Sequence, residues 1–300
     1  MKNPFFSIVI PLYNRSGILE ERLTYLIQQQ FRDFEIVIID DGSTDNPEEK
    51  LKNHIDSNTN IRLFHQSNSE RGAARNKGIE ISKGEYIVLF DSDDFMHSDH
   101  LLKLHQGILD NRYPDFIATK FNFQNEKGEK YSSDIQKYKK GNYDYKLFLD
   151  GNPLACNICF KRSIPGLILF EEDRNYAIKE DWMFLISNMK KHKLTLLDDT
   201  TISMYDHAER SMKSDNNVII SRTLKAVDWI EKHIPLTKEE KNRLHAHLNY
   251  FCGIHSYLEG KRISSISYCI NAIINGGAKI KYVELLAKSI LGRKLISKIK

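Results

Sequence analysis

Residues 85–94, which read Glu-Tyr-Ile-Val-Leu-Phe-Asp-Ser-Asp-Asp, decide the fold of this 300-residue chain. Five consecutive hydrophobic residues, from Tyr86 to Phe90, are followed at once by three carboxylates. An unbroken apolar run of this length indicates a strand that is buried on both faces of a mostly parallel sheet. Ligands of open α/β sheets bind outside the carboxyl ends of the strands, so mutually repelling acids at such an end predict a bound cation.

Two earlier apolar runs also end in polar residues. Residues 5–12 form the first run, and Pro11 is expected to end it because proline cannot donate to a sheet ladder. Residues 34–39 form the second run, which the acids Asp40 and Asp41 follow. Apolar residues at helical spacing lie between the runs. This alternation predicts an α/β fold with a doubly wound, mostly parallel sheet and helices on both faces.

The remainder of the chain continues the sheet and then becomes helical. Residues 115–123 and 194–204 have strand patterns, whereas the polar, lysine-rich residues 124–141 indicate an exposed loop. After Asn216 the pattern predicts only helices. The expected parts are the two halves of a first domain, about 1–97 and 98–212 within 1–212, and a helical appendage at 213–300.

Charge and cysteine content narrow the classes of function. The net charge is +4, and the basic excess lies in the tail, where residues from Lys213 onward hold 16 Lys and Arg against 7 Asp and Glu. Stacking aromatics do not accompany these cations, so nucleic acid is not expected as a partner. Four scattered cysteines do not make a disulfide framework, and the N-terminus lacks a charged-then-apolar leader. We therefore expect a cytoplasmic protein.

An ordered set of motifs resembles the inverting glycosyltransferases of family 2, which share the GT-A nucleotide-sugar-binding fold. The matching motifs lie at residues 7–14, 38–45, 74–78, 91–94 and 180–181. Several motifs in one order are far more specific than any single acid pair. The resemblance spans roughly residues 5–212 and leaves the helical tail outside.

This resemblance implies a donor site for a nucleotide-diphosphate sugar, with uridine as the expected nucleoside. Asp41 would accept a hydrogen bond from the base, and Asp93 would bind a divalent cation, Mn²⁺ or Mg²⁺. The donor-binding residues that the resemblance implies are Pro11, Tyr13, Asn14, Asp41, Arg71, Arg75, Asn76, Lys77, Asp91, Ser92 and Asp93.

Direct transfer with inversion is implied as well, with Asp181 as the general base and Glu180 beside it. His207 matches a position that reaches the metal or the diphosphate in many members, and it would be a second metal ligand. Oxygen ligands suit both cations, and an imidazole would favour Mn²⁺. If a helix starts at Asp181, the helix dipole would favour the ionised form of this carboxylate. A structural role for His207 is the alternative.

We expect a hexosyl or N-acetylhexosaminyl transferase that acts on a hydroxyl of a glycan or lipid-linked glycan in cell-surface polysaccharide or glycoconjugate synthesis. Two alternatives stay open from the residues. A sugar nucleotidyltransferase has a similar sheet, although residues 11–14 are not the glycine-rich phosphate loop of that class. A non-catalytic partner-binding protein with the same fold is the other. The sequence contains no readable code for the sugar or the acceptor.

The last stretch, residues 285–300, is a basic amphipathic pattern without an acid. Its cations are Lys288, Arg293, Lys294, Lys298 and Lys300. Such a pattern predicts a peripheral contact with the inner face of the cell membrane. The alternative is a helix packed on its own domain or on another subunit of a homo-oligomer.

Overall fold

The apolar runs become strands of one ten-stranded sheet in the computed structural model, which describes residues 3–207 and 215–292. The strands are β1 (Phe6–Leu12), β2 (Phe34–Asp40), β3 (Ile61–His65), β4 (Tyr86–Leu89), β5 (Phe95–Met96), β6 (Phe116–Asn125), β7 (Lys130–Ser132), β8 (Gly141–Tyr143), β9 (Ile158–Lys161) and β10 (Leu194–Asp206). The α-helices are α1 (Ser16–Leu26), α2 (Pro47–Ser57), α3 (Glu70–Ile81), α4 (His100–Asp110), α5 (Glu180–Asn188), α6 (Asn216–His233), α7 (Lys238–Leu258), α8 (Arg262–Gly276) and α9 (Ile280–Leu291).

The sheet is parallel in the part that precedes the acid cluster. Strands β3, β2, β1 and β4 lie side by side in that order, and each pair is parallel. Strands β6 and β10 are also parallel, whereas β9 pairs antiparallel with β4 and β6, and β5 pairs antiparallel with β10. The predicted α/β fold with a helical C-terminal region is confirmed, with a sheet that is parallel in places and mixed beyond β4.

The carboxyl ends of the neighbouring parallel strands β2, β1 and β4 lie at one edge of the sheet. Pro11 does not end β1, which continues to Leu12. Strand β4 pairs with β1 only as far as Val9, so the missing N–H of Pro11 interrupts no hydrogen bond between these two strands. The acids that follow β2 and β4 are therefore brought to the same edge.

Two glycines let α3 approach its neighbours closely. A Cβ atom on Gly78 would lie 2.2 Å from Cγ1 of Val9 in β1. One on Gly72 would lie 2.4 Å from the carbonyl oxygen of Glu171. Real Cβ contacts are not this short, so glycine is required at both positions. The close approach fixes where the polar residues of α3 lie.

Residues 124–141 were expected to form a loop, and this was wrong in part. Strand β7 forms an antiparallel hairpin with the end of β6, and β8 pairs antiparallel with β10. All three side chains of β7 are exposed, as predicted for this stretch. Backbone hydrogen bonds at the rim of a sheet require no apolar alternation, so the sequence pattern did not reveal these strands.

The described residues group into two compact units. The first holds residues up to 144, 153–174 and 188–207, and the second holds 145–152, 175–187 and the residues from 215 onward. In the second unit, Ala246, Ala272 and Tyr282 form a buried cluster between α7, α8 and α9. Residues 293–300 of the predicted last helix lie outside the described residues.

Within 3–207 and 215–292, no helix has both the length and the apolar character that spanning a bilayer requires.

Candidate active site

The acid cluster after β4 separates into side chains with different partners. Asp94 is buried, and its Oδ1 accepts a hydrogen bond of 2.9 Å from the backbone N–H of Tyr205 in β10. This contact ties the tip of β4 to β10. Ser92 is buried beside it. Asp94 therefore stabilises the edge of the sheet, and both Asp91 and Asp93 have charged partners.

Asp93 and His207, the two predicted metal ligands, lie together. Oδ2 of Asp93 is 2.8 Å from Nε2 of His207, and both side chains are about nine-tenths buried. Arg15 contacts the same carboxylate oxygen, and Arg22 donates to the Asp93 carbonyl over 3.3 Å. One carboxylate and one imidazole are a chemically suitable pair for Mn²⁺, whose remaining ligands substrate phosphates can provide. In the part of the chain that the structure describes, no group of three His, Cys, Asp or Glu side chains forms a closed metal site.

Asp91 is paired with Arg75 of α3, a predicted donor-binding residue. Nη2 of Arg75 lies 2.8 Å from Oδ1 of Asp91, and the arginine is buried with its guanidinium 5.4 Å from the ring centre of Phe170. Burial raises the pKa of Asp91, but the positive charges of Arg75, Arg71 and Arg15 outweigh it, so the net pKa lies below the ordinary value. Asp91 is therefore ionised at neutral pH.

Asp41 lies at the carboxyl end of β2. Its Oδ1 accepts hydrogen bonds of 2.8 Å from the side chain of Gln66 and from the backbone N–H of Ser69. The carboxylate is buried, and this burial raises its pKa above the ordinary value despite those hydrogen bonds. The residues before α3 thus hold Asp41 at the edge of the sheet.

Tyr13 and Asn14 occupy the loop that leaves β1, the strand beside β2. Tyr13 is 51% exposed, which leaves its ring accessible to a planar ligand, and Pro11 before it is partly exposed. Asn14 has a left-handed backbone with φ of 52°, and its Oδ1 accepts a 2.7 Å hydrogen bond from the N–H of Thr44. Asn14 therefore ties the loops after β1 and β2 together.

Asn76 and Lys77 point to different surroundings. Nδ2 of Asn76 donates to the carbonyl of Phe170 over 2.9 Å and to Glu172 over 2.8 Å, and its Oδ1 accepts from the N–H of Phe170 over 2.9 Å. Lys77 is exposed and pairs with Glu80 of the same helix. These contacts give Asn76 a positioning role, while direct donor contacts of both residues stay predictions.

In the second unit, Glu180 and Asp181 begin α5. Nδ2 of Asn152 donates to Oδ2 of Asp181 over 3.0 Å, and the N–H of Trp182 donates to its Oδ1 over 2.7 Å. Trp182 is itself fixed, because its indole donates to the carbonyl of Phe148 over 2.7 Å. Glu180 is buried and Asp181 is partly exposed. An oriented, partly exposed carboxylate at the start of a helix is suited to accept a proton.

A sequence model described as "Glycosyl transferase family 2" matches residues 7–164. An uncharacterized glycosyltransferase of Haemophilus influenzae is 30% identical over 234 residues, which cover 76% of this chain and 87% of the relative.

The chain belongs to glycosyl transferase family 2.

A further relative of the glycosyltransferase is GlyG of Streptococcus pneumoniae, 33% identical over 126 residues that cover 42% of each chain. Among solved structures, S. aureus TarS has a TM-score of 0.66 at 16% identity, covering 98% of this chain and 92% of that one. The mannosyltransferase PcManGT from Pyrobaculum calidifontis has a TM-score of 0.61 at 14% identity, covering 99% and 84%. The fold is GT-A, and the family and fold predicted from the motifs are confirmed.

Two residues of the glycosyltransferase were missed by sequence reasoning. Arg15 contacts Asp93, and a signal existed, since the exit loops of the adjacent strands β1 and β4 must meet. Lys179 directly precedes the Glu180–Asp181 pair and is buried, with Nζ 4.1 Å from the ring centre of Phe251. Burial lowers its pKa to about 8. No local sequence pattern predicted the burial of Lys179, because the Phe251 ring belongs to α7.

Proposed function

We propose that this glycosyltransferase moves a hexosyl or N-acetylhexosaminyl group from a nucleotide-diphosphate donor to a hydroxyl of a glycan acceptor, with inversion at the anomeric carbon. The enzyme would act in the synthesis of a cell-surface polysaccharide or glycoconjugate. The single observation that carries the proposal is the contact of Asp93 with His207 beside Arg15, at the strand ends where the family's nucleotide motifs meet. Family membership assigns glycosyl transfer, which sets the nucleotidyltransferase and non-catalytic alternatives aside.

A uridine diphosphate sugar is the donor that we propose. The carboxylate of Asp41, which Ser69 holds at the sheet edge, would accept from a base N–H, and the exposed ring of Tyr13 offers a stacking surface in the adjacent loop. Solved neighbours support the class of ligand, since TarS has been solved with UDP-GlcNAc and PcManGT with GDP-Man and Mn²⁺. Arg15, Arg71 and Arg75 supply positive charge for the diphosphate.

A divalent cation fits the pair of Asp93 and His207. Their donor atoms are a carboxylate oxygen and an imidazole nitrogen at 2.8 Å from each other, and Mn²⁺ accepts both kinds of ligand. When bound, the cation would neutralise charge that develops on the leaving diphosphate. Arg15 contacts the same carboxylate and would limit its rotation. Mn²⁺ or Mg²⁺ is the expected cofactor.

Asp181 would accept the proton of the acceptor hydroxyl as that hydroxyl attacks the anomeric carbon. Asn152 and the first turn of α5 fix both carboxylate oxygens, which limits the rotation of the side chain. Inversion follows from a single attack on the face opposite the leaving group. A glycosidic bond forms between the acceptor oxygen and the anomeric carbon, the proton ends on Asp181, and the nucleotide diphosphate departs with the electrons of the broken sugar–phosphate bond.

Release of nucleotide diphosphate tests the proposed base. Asp181→Asn is expected to lower turnover by about 10²–10⁴-fold, the usual contribution of a positioned base, while donor affinity stays within about twofold. Asp228→Asn, a change of an exposed aspartate in α6, is the matched control and should keep wild-type turnover. Near wild-type turnover by Asp181→Asn would refute the assignment.

Isothermal titration of UDP with and without Mn²⁺ tests the metal ligands. In the wild type, Mn²⁺ should raise the affinity for UDP at least tenfold, whereas Asp93→Asn and His207→Ala should abolish this gain. Asp56→Asn, at an exposed position of α2, should leave the gain intact. If Mn²⁺ raises UDP affinity equally in Asp93→Asn and in the wild type, Asp93 does not bind the ion.

A further inference from the structure

The last two helices expose an unusual number of large aliphatic side chains. On α8, Ile263, Ile270 and Ile274 are 85%, 45% and 73% exposed, and their spacing of seven and four residues puts them on one face. Helix α9 continues the pattern at 45–78% exposure, with Ile280, Val283, Ile290 and Leu291. Monomeric soluble proteins rarely expose contiguous apolar patches of this kind.

These side chains are not part of the core of the second unit. The opposite faces of both helices pack on α7 at Gly253, where a Cβ atom would lie 3.3 Å from Cδ2 of Leu285 and 3.5 Å from Sγ of Cys269. The guanidinium of Arg262 at the start of α8 contacts the carbonyl of Ile290 near the end of α9, so the helices run side by side in opposite directions. The seven aliphatic side chains of α8 and α9 therefore form one surface, which we call the outer face.

The charge around the outer face is positive. Residues 261–292 hold five cations against one acid, Glu284. All five cations are exposed, and they are Lys261, Arg262, Lys279, Lys281 and Lys288. A second copy of this chain on a two-fold axis would bring these like charges together, which disfavours self-association. Aliphatic side chains within a cationic rim are complementary to an anionic lipid surface.

We propose that the outer face of α8 and α9 docks on anionic lipid headgroups, with its isoleucines entering the boundary between headgroups and acyl chains. This places the membrane contact on two helices rather than on the terminal stretch alone. Each cation near an anionic surface strengthens binding about fivefold, and each inserted aliphatic side chain contributes at least as much. The docking does not depend on the reaction, so a failure of the proposed glycosyl transfer leaves it standing.

Vesicle co-sedimentation of the full chain tests the docking. The wild type should bind vesicles of phosphatidylcholine mixed with phosphatidylglycerol and bind pure phosphatidylcholine at least tenfold more weakly. The variant I263Q/I274Q/I280Q should lose about 100-fold in binding to the mixed vesicles, and K279Q/K281Q/K288Q should lose about as much. The control L109Q/V218Q/L224Q replaces three exposed aliphatic side chains of α4 and α6 and should bind like the wild type.

Folding and self-association are measured in parallel. The replaced side chains are exposed, so all variants should melt within a few degrees of the wild type by circular dichroism. The proposal is overturned if the isoleucine variant binds mixed vesicles as the wild type does, or if binding does not depend on phosphatidylglycerol. It is also overturned if light scattering shows a wild-type dimer that the isoleucine variant dissociates while neither protein binds vesicles.

Discussion

Replacement of Asn76 by alanine is expected to destabilise the protein by about 2–6 kcal/mol. The side chain is buried and exchanges hydrogen bonds with both backbone groups of Phe170, in addition to one with Glu172. A typical hydrogen bond contributes about 0.5–1.5 kcal/mol, and a buried backbone group left without its partner costs about 1–3 kcal/mol. Phe170 would lose partners for its N–H and its C=O at once, which gives the range stated.

Urea-induced unfolding followed by circular dichroism measures this cost. Tryptophan fluorescence is unsuitable, because Trp182 and Trp229 both belong to the second unit and Asn76 to the first. The control is Lys77→Ala, one residue along α3. The side chain of Lys77 is exposed and forms an ion pair with Glu80. It should change stability by less than about 0.5 kcal/mol.

A different outcome would assign Asn76 to the ligand instead. If Asn76→Ala unfolds at the wild-type urea concentration while its affinity for UDP falls tenfold or more, the reasoning from the Phe170 hydrogen bonds is refuted. In that case the donor contact predicted from the family resemblance would be the correct role.

Two further predictions concern the same part of the sheet. The folded-state pKa of Asp91 lies below its ordinary value of 3.8, so its ion pair with Arg75 stabilises the protein above that value and is lost as the pH falls through the lowered pKa. The difference in unfolding free energy between wild type and Asp91→Asn should therefore shrink in acid, and a difference independent of pH would contradict the pairing. Gly78→Ala forces a Cβ atom against Val9 and should cost about 1–3 kcal/mol in urea unfolding, whereas Gly17→Ala, which has open space around it, should cost nothing.

The sequence predicted those elements whose pattern of apolar and polar side chains is characteristic of one kind of secondary structure. Uninterrupted apolar runs of this length are typical of strands covered on both faces, and so β1, β2 and β4 could be predicted with the acids at their ends. The proximity of Asp93 and His207, 114 residues apart, came from the ordered family motifs rather than from spacing. Local patterns therefore predicted the strands, and the motif order predicted that Asp93 and His207 lie together.

Contacts between distant segments were beyond the reach of local reasoning. Asp45 is of a residue type that commonly caps a helix such as α2. Its carboxylate instead accepts hydrogen bonds from the N–H and the hydroxyl of Ser16 at the start of α1. Asn76 binds a segment 94 residues away, and nothing in its own helix indicates this. Such pairings depend on which loops meet at a sheet edge, so they follow from the topology and not from any single window of sequence.

The composition of the second unit has a consequence for the engineering of chimaeric enzymes. Residues 175–187, which carry Asp181, belong with helices encoded much later in the chain, since Lys179 covers the ring of Phe251 and Trp182 contacts His247 at 5.8 Å between ring centres. A splice junction near residue 212 would separate the proposed proton acceptor from its scaffold. Exchanging residues 145–292 as one block would keep the two together, and it would also transfer β9, β10 and His207 from the first unit.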